Sequence, residues 1–158
     1  MQIKVFWVGK TRHPSLRSLQ EDYLGRIRRW LPCETVEIRD LAGRRSLSPA
    51  ELVAGEGAAI SRRLPAAGRV IALDEAGTGY SSGEFARWLE SEQNSGVQAL
   101  SFVIGGPAGL DRALTRRADR VLSLGRMTWT HDMSRVLLLE QIYRALCILH
   151  NVPYHRGD

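Results

Sequence analysis

Cysteines and long apolar runs are both scarce in this sequence of 158 residues, and each absence excludes a class of protein. Cys33 and Cys147 are the only two cysteines, and neither has a partner at metal-ligand spacing, which argues against a disulfide framework. No apolar run approaches the roughly 18 residues that a membrane-spanning helix needs. Residues 1–9 are typical of a first β-strand and lack the parts of a secretory signal peptide. We therefore expect one cytoplasmic domain, with Cys147 as a small core residue.

Lysine is scarce as well. Lys4 and Lys10 are the only lysines among 22 basic residues, so all the others are arginines. Against 17 acidic residues this gives a net charge of +5, which suits an anionic partner, with nucleic acid as the first candidate. Arginine binds phosphate in a bidentate manner and stacks on bases. Genomic composition, with arginines that only solvate helix surfaces, would give the same skew, so charge alone leaves both interpretations open.

Short apolar runs alternate along the chain with segments of helical spacing. The runs predict strands at 2–8, 35–39, 69–74, 99–104 and 121–124, with a loop at 75–80. The helical segments are 14–30, 48–64, one that opens at Ser81, a short basic one at 110–118, and 131–150. Two of them open with a capping box, Ser48 with Glu51 and Ser81 with Glu84. The alternation predicts an α/β fold with a mostly parallel sheet and helices on both faces.

One strand ends on an unusual run of small residues, in which Gly105 and Gly106 are followed by Pro107 and Gly109. Glycine removes the Cβ atom, so the backbone can approach a ligand closely. A strand that ends this way in an α/β chain indicates a ligand crevice at the carboxyl edge of the sheet. A tight connection without any ligand gives the same pattern, so the glycines alone do not decide between the two.

The last predicted helix, residues 131–150, is apolar almost all the way round. Such a helix must be buried on more than one side. Packing against both the sheet and a second subunit would achieve this, which predicts a two-fold homodimer. The alternative is a wholly internal helix in a monomer.

Several polar residues near the C-terminus could do chemistry. His131 and Arg135 share one helix face, whereas Glu140 and Arg144, at the same spacing, are more typical of an ion pair. The tail 154–156 sets a phenol, an imidazole and a guanidinium side by side, which suits stacking on a base and clamping a phosphate. The four histidines are scattered and lack ligand companions, so we expect no metal site. Hydrolase elbows, phosphate loops and dinucleotide fingerprints are also missing.

Five segments together, 105–110, 122–124, 127–136, 140–145 and 153–156, resemble the RlmH family. These are SPOUT-class methyltransferases that act on large-subunit ribosomal RNA, and the resemblance covers the whole chain. It implies one SPOUT domain over residues 1–158 with a C-terminal trefoil knot, a feature that is rare among folds. It also implies a homodimer with the active site at the subunit interface. The implied reaction uses S-adenosylmethionine to methylate N3 of a pseudouridine in the helix-69 loop of 23S rRNA, on the assembled ribosome.

The resemblance also assigns site residues. The cofactor would contact Leu73, Gly105, Leu124, Gly125, Arg126, Met127, Thr128 and Trp129. We hypothesise that His131 or His155 accepts the N3 proton, while Arg135 and Arg156 hold an RNA phosphate or a uracil carbonyl. Substrate contacts would come from Tyr143, Arg144 and Tyr154. No metal or membrane is implied.

Two positions depart from the family pattern. Ala108 stands where glutamate is frequent, and Thr130 stands where proline commonly precedes the histidine. Two other functions stay open: a SPOUT methyltransferase acting on tRNA, disfavoured because no RNA-binding domain is appended, and a non-catalytic protein that binds RNA or the ribosome.

Overall fold

The structure is a computed structural model that describes residues 1–42 and 47–154. Its strands are β1 (Gln2–Val8), β2 (Cys33–Ile38), β3 (Arg69–Gly79), β4 (Ala99–Ile104) and β5 (Arg120–Ser123). Its helices are α1 (Pro14–Ile27), α2 (Pro49–Ser61), α3 (Ser82–Asn94), α4 (Arg112–Arg117) and α5 (His131–Leu149). None of the helices in these ranges is long and apolar enough to cross a membrane.

The strands form one sheet in the order β2-β1-β4-β3-β5, in which every neighbouring pair is parallel. Every residue of the central strand β4 is buried, as expected for a parallel sheet that is covered on both faces. Because all strands point the same way, the carboxyl ends of β3, β4 and β5 meet at one edge.

Two layers of helices cover the sheet. Helices α1, α3 and α5 pack on one face, where Leu138, Leu139 and Ile142 of α5 are fully buried against the larger core cluster. Helices α2 and α4 cover the opposite face around Phe6 and Val103. Helix α5 packs against both α1 and α3. The predicted α/β fold, with a parallel sheet between helices, is confirmed, as is the burial of Cys147. The knot that the resemblance implies stays a prediction.

Local signals set most helix starts correctly. Both capping boxes form, because the hydroxyl groups of Ser48 and Ser81 accept bonds from the backbone of Glu51 and Glu84, whose carboxylates reach back. Helix α1 ends at Ile27, earlier than the predicted residue 30.

The predicted loop at 75–80 is wrong for most of its length, because β3 continues to Gly79. Leu73 and Thr78 both pair with Leu122 of β5, so residues 74–77 leave the ladder between them. Gly77 allows this return: an added Cβ atom would lie 2.8 Å from the backbone of Val121. This excursion of β3, residues 74–77, brings two carboxylates to the carboxyl edge of the sheet.

Candidate active site

A cavity of about 500 Å³ opens at the edge where β3, β4 and β5 end. Its walls come from the end of β3 and the start of its excursion, the loop after β4, the segment after β5 and the first turn of α5. The lining residues are Leu73, Asp74, Glu75, Ile104, Gly105, Gly106, Pro107, Gly109, Leu110, Leu122, Leu124, Gly125, Met127, Thr128, Trp129, Thr130, His131 and Ser134. The glycine run therefore does border a crevice where open α/β sheets bind ligands.

Backbone forms the part of the wall that follows β4. A Cβ atom added at Gly105 would lie 2.5 Å from the carbonyl oxygen of Gly109, a distance that no packing adjustment relieves. Gly109 has a φ of +92°, and its N–H donates to the carbonyl of Gly106 at 2.9 Å. Glycine is required at both positions, by close approach at Gly105 and by backbone conformation at Gly109.

A buried carboxyl group lies behind this turn. Glu56 of α2 is only 3% exposed, and its Oε1 atom accepts a bond from the Leu41 N–H at 3.2 Å. Its Oε2 atom has no partner within the described residues and would lie 3.2 Å from a Cβ atom at Gly106. Burial raises the pKa of Glu56. Sequence reasoning missed this residue, because a glutamate between glycines in a helix has the pattern of a surface position.

The segment after β5 forms the facing wall. Ser123 shapes it, since its hydroxyl group donates to the Gly125 carbonyl at 2.8 Å. Met127 and Trp129 stay 74% and 43% exposed at the rim, which is unusual for large apolar side chains. Of the expected cofactor residues, all but Arg126 line the cavity: Leu73, Gly105, Leu124, Gly125, Met127, Thr128 and Trp129. Their role as cofactor contacts stays a prediction.

Asp74 and Glu75 supply the cavity's carboxylates, and neither was assigned a role from the sequence. Asp74 accepts a bond from the N–H of Ala76 at 2.9 Å through Oδ1. Glu75 accepts one from the hydroxyl of Thr128 at 2.7 Å through Oε2. The second bond joins the β3 excursion to the facing wall across the cavity mouth.

His131 is the first residue of α5 and lines the cavity. Its Nε2 atom lies 3.4 Å from the Oδ1 atom of Asp132. Thr130, where the family commonly has proline, is the N-cap of α5, because its hydroxyl accepts a bond from the Met133 N–H at 3.3 Å. The departure from proline therefore supplies a cap that fixes the start of the helix.

Arg135 does not face the cavity: its side chain is fully buried. The guanidinium donates to the Val8 carbonyl at 2.6 Å and to the Thr11 hydroxyl at 2.7 Å, and it lies 3.1 Å from the Asp132 carboxylate. Burial lowers the pKa of Arg135. The expected contact with RNA does not fit this geometry, because the group is enclosed by protein and already bonded. We assign it instead to anchoring the first turn of α5 on β1 and the loop that follows it.

The three expected substrate residues form one cluster. The Arg144 guanidinium lies 5.0 Å from the Tyr154 ring centroid, and Tyr143 packs edge-on against that ring at 4.8 Å. The predicted ion pair is confirmed, with Arg144 and Glu140 2.5 Å apart. The Tyr154 hydroxyl also lies 3.2 Å from Glu140, and burial raises the pKa of this phenol.

This tyrosine cluster is remote from the cavity within one chain, and none of its three members lines it. Arg144 follows His131 by more than three helical turns, about 20 Å along the axis. The structure therefore brings His131 together with the expected cofactor residues, but not with the expected substrate residues. His155 and Arg156 lie outside the described residues. Among residues 1–42 and 47–154, no group of three or more His, Cys, Asp or Glu side chains could hold a metal ion.

Comparison with known families decides what kind of protein has this site. The model of the family described as "Predicted SPOUT methyltransferase" matches residues 1–155. This chain belongs to the SPOUT methyltransferase family. Within that family, its relatives include the ribosomal RNA large subunit methyltransferase H of Geobacter sulfurreducens, 44% identical over 98% of this chain and 99% of that protein. The chain is thus a member of the RlmH group of SPOUT proteins, as its motifs indicated.

Solved structures of other proteins agree in fold. A protein from Bordetella pertussis described as a "Probable Methyltransferase" superposes with a TM-score of 0.59 at 14% identity, covering 92% of this chain and 96% of that one. A Legionella pneumophila protein, described as a "putative methyltransferase" in complex with the bound cofactor SAM, gives a TM-score of 0.51 at 11% identity. That match covers 92% of this chain and 66% of the Legionella chain. At such identities the likeness establishes the fold alone.

Proposed function

We propose that this protein transfers the methyl group of S-adenosylmethionine to N3 of a pseudouridine in the helix-69 loop of 23S rRNA, on the assembled ribosome in the bacterial cytoplasm. One observation carries the proposal: all but Arg126 of the residues that the RlmH resemblance assigns to the cofactor line the cavity at the carboxyl edge, and His131 lines it as well. The names of the relatives support the substrate class. The Legionella structure supports the methyl donor.

The residues of the cavity fit this donor. Leu73, Leu122 and Leu124 provide apolar walls for an adenine ring, and the glycine turn offers backbone groups without side chains in the way. S-adenosylmethionine supplies a methyl group already activated on a positively charged sulfur. The main task of the protein is then alignment, because holding two reactants in the right geometry removes much of the barrier.

His131 is the described residue best suited to accept the proton that leaves N3. It lines the cavity, and Asp132 lies beside its Nε2 atom. A positioned general base contributes about a hundredfold or more to such a step. His155 is the other candidate from the sequence. We expect His131→Ala or His155→Ala to lower kcat about a hundredfold with unchanged cofactor affinity. Full activity in both variants would contradict a role for either histidine.

A homodimer explains two features of the single chain. Met127 and Trp129 leave apolar surface exposed at the cavity rim, and the tyrosine cluster that holds Tyr154 is about 20 Å from His131 along α5. A second chain would cover the rim and bring its own C-terminal tail to this cavity. We expect light scattering to give twice the chain mass of 17.7 kDa. A monomer at working concentration would contradict this arrangement.

A set of arginines on the α2/α4 layer supports a polyanionic substrate. This arginine face comprises Arg62, Arg63, Arg112, Arg116 and Arg117, all exposed. Within the described residues none of them forms an ion pair with a carboxylate; only Arg63 has a bond, to the backbone carbonyl of Glu37. Several arginines elsewhere are paired, as Arg26 is with Asp22 at 2.8 Å. Exposed guanidinium groups without a carboxylate partner suit RNA phosphates.

The test uses ribosomes that lack this methylation, purified protein and labelled S-adenosylmethionine, followed by digestion and mass spectrometry. We expect label at N3 of one pseudouridine, on intact ribosomes and not on stripped RNA. Label on tRNA instead would favour a tRNA methyltransferase. No label together with no cofactor binding would overturn the proposal in favour of a binding protein without catalytic activity.

A further inference from the structure

The charge of the cavity is opposite to the charge of the protein. The chain carries a net charge of +5 and only two of its basic residues are lysines, yet no arginine or lysine lines the cavity within the described residues. Apart from His131, the ionisable side chains in its wall are Asp74 and Glu75. Among the described residues, the cavity of this arginine-rich protein is therefore lined by two carboxylates and by no guanidinium or ammonium group.

Both carboxylates are held in place. The β3 excursion that carries them is closed on each side by pairing with Leu122. Asp74 is half-buried, and one of its oxygens is fixed by the Ala76 N–H, so the other oxygen is left for a ligand. Glu75 is exposed and lines the cavity, where its carboxylate accepts a bond from the Thr128 hydroxyl. Fixed carboxylates attract a cation more strongly than mobile ones, because no side-chain ordering opposes binding.

We propose that Asp74, assisted by Glu75, makes this cavity selective for the cationic methyl donor over its neutral-sulfur product. The inference rests on the proposed function, since it takes S-adenosylmethionine as the donor. In the transfer the bond between sulfur and methyl breaks and its electron pair stays on sulfur, which becomes a neutral thioether. The new bond forms between the methyl carbon and N3, and the N3 proton passes to the base.

One positive charge is thus lost from the sulfur during each turnover, while the carboxylates stay. Their attraction acts on the donor and not on the thioether, so it favours loading of S-adenosylmethionine and release of S-adenosylhomocysteine. Both molecules carry the same ammonium and carboxylate groups on the amino acid part. The ratio of their affinities therefore isolates the contribution of the sulfonium charge.

An opposite charge within about 4–6 Å changes an ionic equilibrium by roughly tenfold to a thousandfold, and partial exposure moves the effect to the lower end. We expect about a tenfold effect from Asp74 and a smaller one from the exposed Glu75. Because the positive charge is fully present in the ground state and only partly lost in the transition state, removing the carboxylate weakens cofactor affinity and raises KM, and kcat does not fall.

The experiment is a calorimetric titration of the full-length protein, without RNA, using S-adenosylmethionine, S-adenosylhomocysteine and sinefungin, which replaces the sulfonium by a protonated amine. We expect Asp74→Asn to weaken S-adenosylmethionine and sinefungin about tenfold and S-adenosylhomocysteine less than twofold. Glu75→Gln should act in the same direction with a smaller change. Glu90→Gln, an exposed position on α3, is the matched control and should change nothing. Asparagine can still accept the Ala76 N–H, and an unchanged melting temperature checks that the excursion is intact.

Equal weakening of all three ligands by Asp74→Asn would overturn the inference, because the carboxylate would then act on the common ammonium or on the loop. Unchanged affinities would overturn it as well. If the unsubstituted protein binds none of the three ligands, both the inference and the proposed function fail. If it binds them with an unaltered ratio in the variants, only the inference fails.

Discussion

The cavity at the carboxyl edge and the arginine face on the α2/α4 layer are opposite in charge and in construction. The cavity is made of strand ends, glycine backbone and two carboxylates. The arginine face consists of long side chains on helices, with no carboxylate paired to them among the described residues. The net charge of +5 therefore has the same sign as the arginine face and the opposite sign to the two carboxylates of the cavity. A global charge and a local charge indicate different partners.

The largest effect is expected from adding a side chain at Gly105, where the cavity wall has room only for backbone. Gly105→Ala places a Cβ atom 2.5 Å from the Gly109 carbonyl oxygen, so the turn must move. We expect at least a hundredfold loss of S-adenosylmethionine affinity, measured by calorimetry, with ribosome binding retained.

The control for this change is Gly25→Ala, in the last turn of α1. A Cβ atom there meets nothing within 4 Å, and alanine in a helix is more stable than glycine by about 0.5–1 kcal/mol. This variant should bind the cofactor normally. Normal cofactor binding by Gly105→Ala would show that the turn is only a connection.

An intermediate effect is expected on the arginine face. Replacing both Arg116 and Arg117 by alanine removes two exposed cations of α4. We expect the KM for ribosomes to rise about tenfold. The slope of log affinity against log salt should flatten by about one unit for each phosphate that the variant no longer binds. Cofactor affinity should not change.

Arg87→Ala, on the opposite helix layer, is the control, because it removes an exposed positive charge that is not part of the arginine face. It should leave both the KM for ribosomes and the salt slope near their original values. If Arg87→Ala weakens ribosome binding as much as the α4 variant does, ribosome affinity depends on the total charge of the protein and not on the arginine face.

The smallest effect concerns the buried carboxyl group behind the glycine turn. Burial raises the pKa of Glu56 above its ordinary 4.5, so the folded protein holds this proton more tightly than the unfolded chain does. Stability is therefore lost as pH rises from about 4.5 through the raised pKa. Glu56→Gln removes this loss and keeps an oxygen for the Leu41 N–H.

We expect Glu56→Gln to raise the melting temperature by about 2–4 °C at pH 8, corresponding to about 1 kcal/mol, with no gain at pH 4. Glu90→Gln, which is exposed, should show no such difference between the two pH values. A lower melting temperature for Glu56→Gln at pH 8 would mean that the negative charge itself is used in the fold.

What could be predicted from sequence follows from how local each signal is. Apolar runs and the two capping boxes depend on neighbouring residues, so strands and helix starts were predicted well. The glycine turn was found for the same reason. The β3 excursion could not be found, because it depends on pairing between Thr78 and the distant Leu122.

Side-chain direction was the harder part. The spacing of His131 and Arg135 gives a shared face, but it does not say that Arg135 turns inward to Val8 and Thr11. Glu56 was missed because its burial comes from elements far away in sequence. The expected cofactor residues came from the family resemblance, because the hydrophobic periodicity of the sequence carries no information about which residues bind a cofactor.

A crystal structure with S-adenosylmethionine would test the assignment of the cofactor site directly. We predict that the cofactor lies between the glycine turn at Gly105 and the segment 124–129, with its sulfur on the side of Asp74. A neighbouring cavity of about 340 Å³ beside α3 shares Leu122, Leu124, Gly125 and Trp129 with the first and is the natural competitor. Density for the cofactor in that second cavity, or against Tyr154, would contradict the assignment.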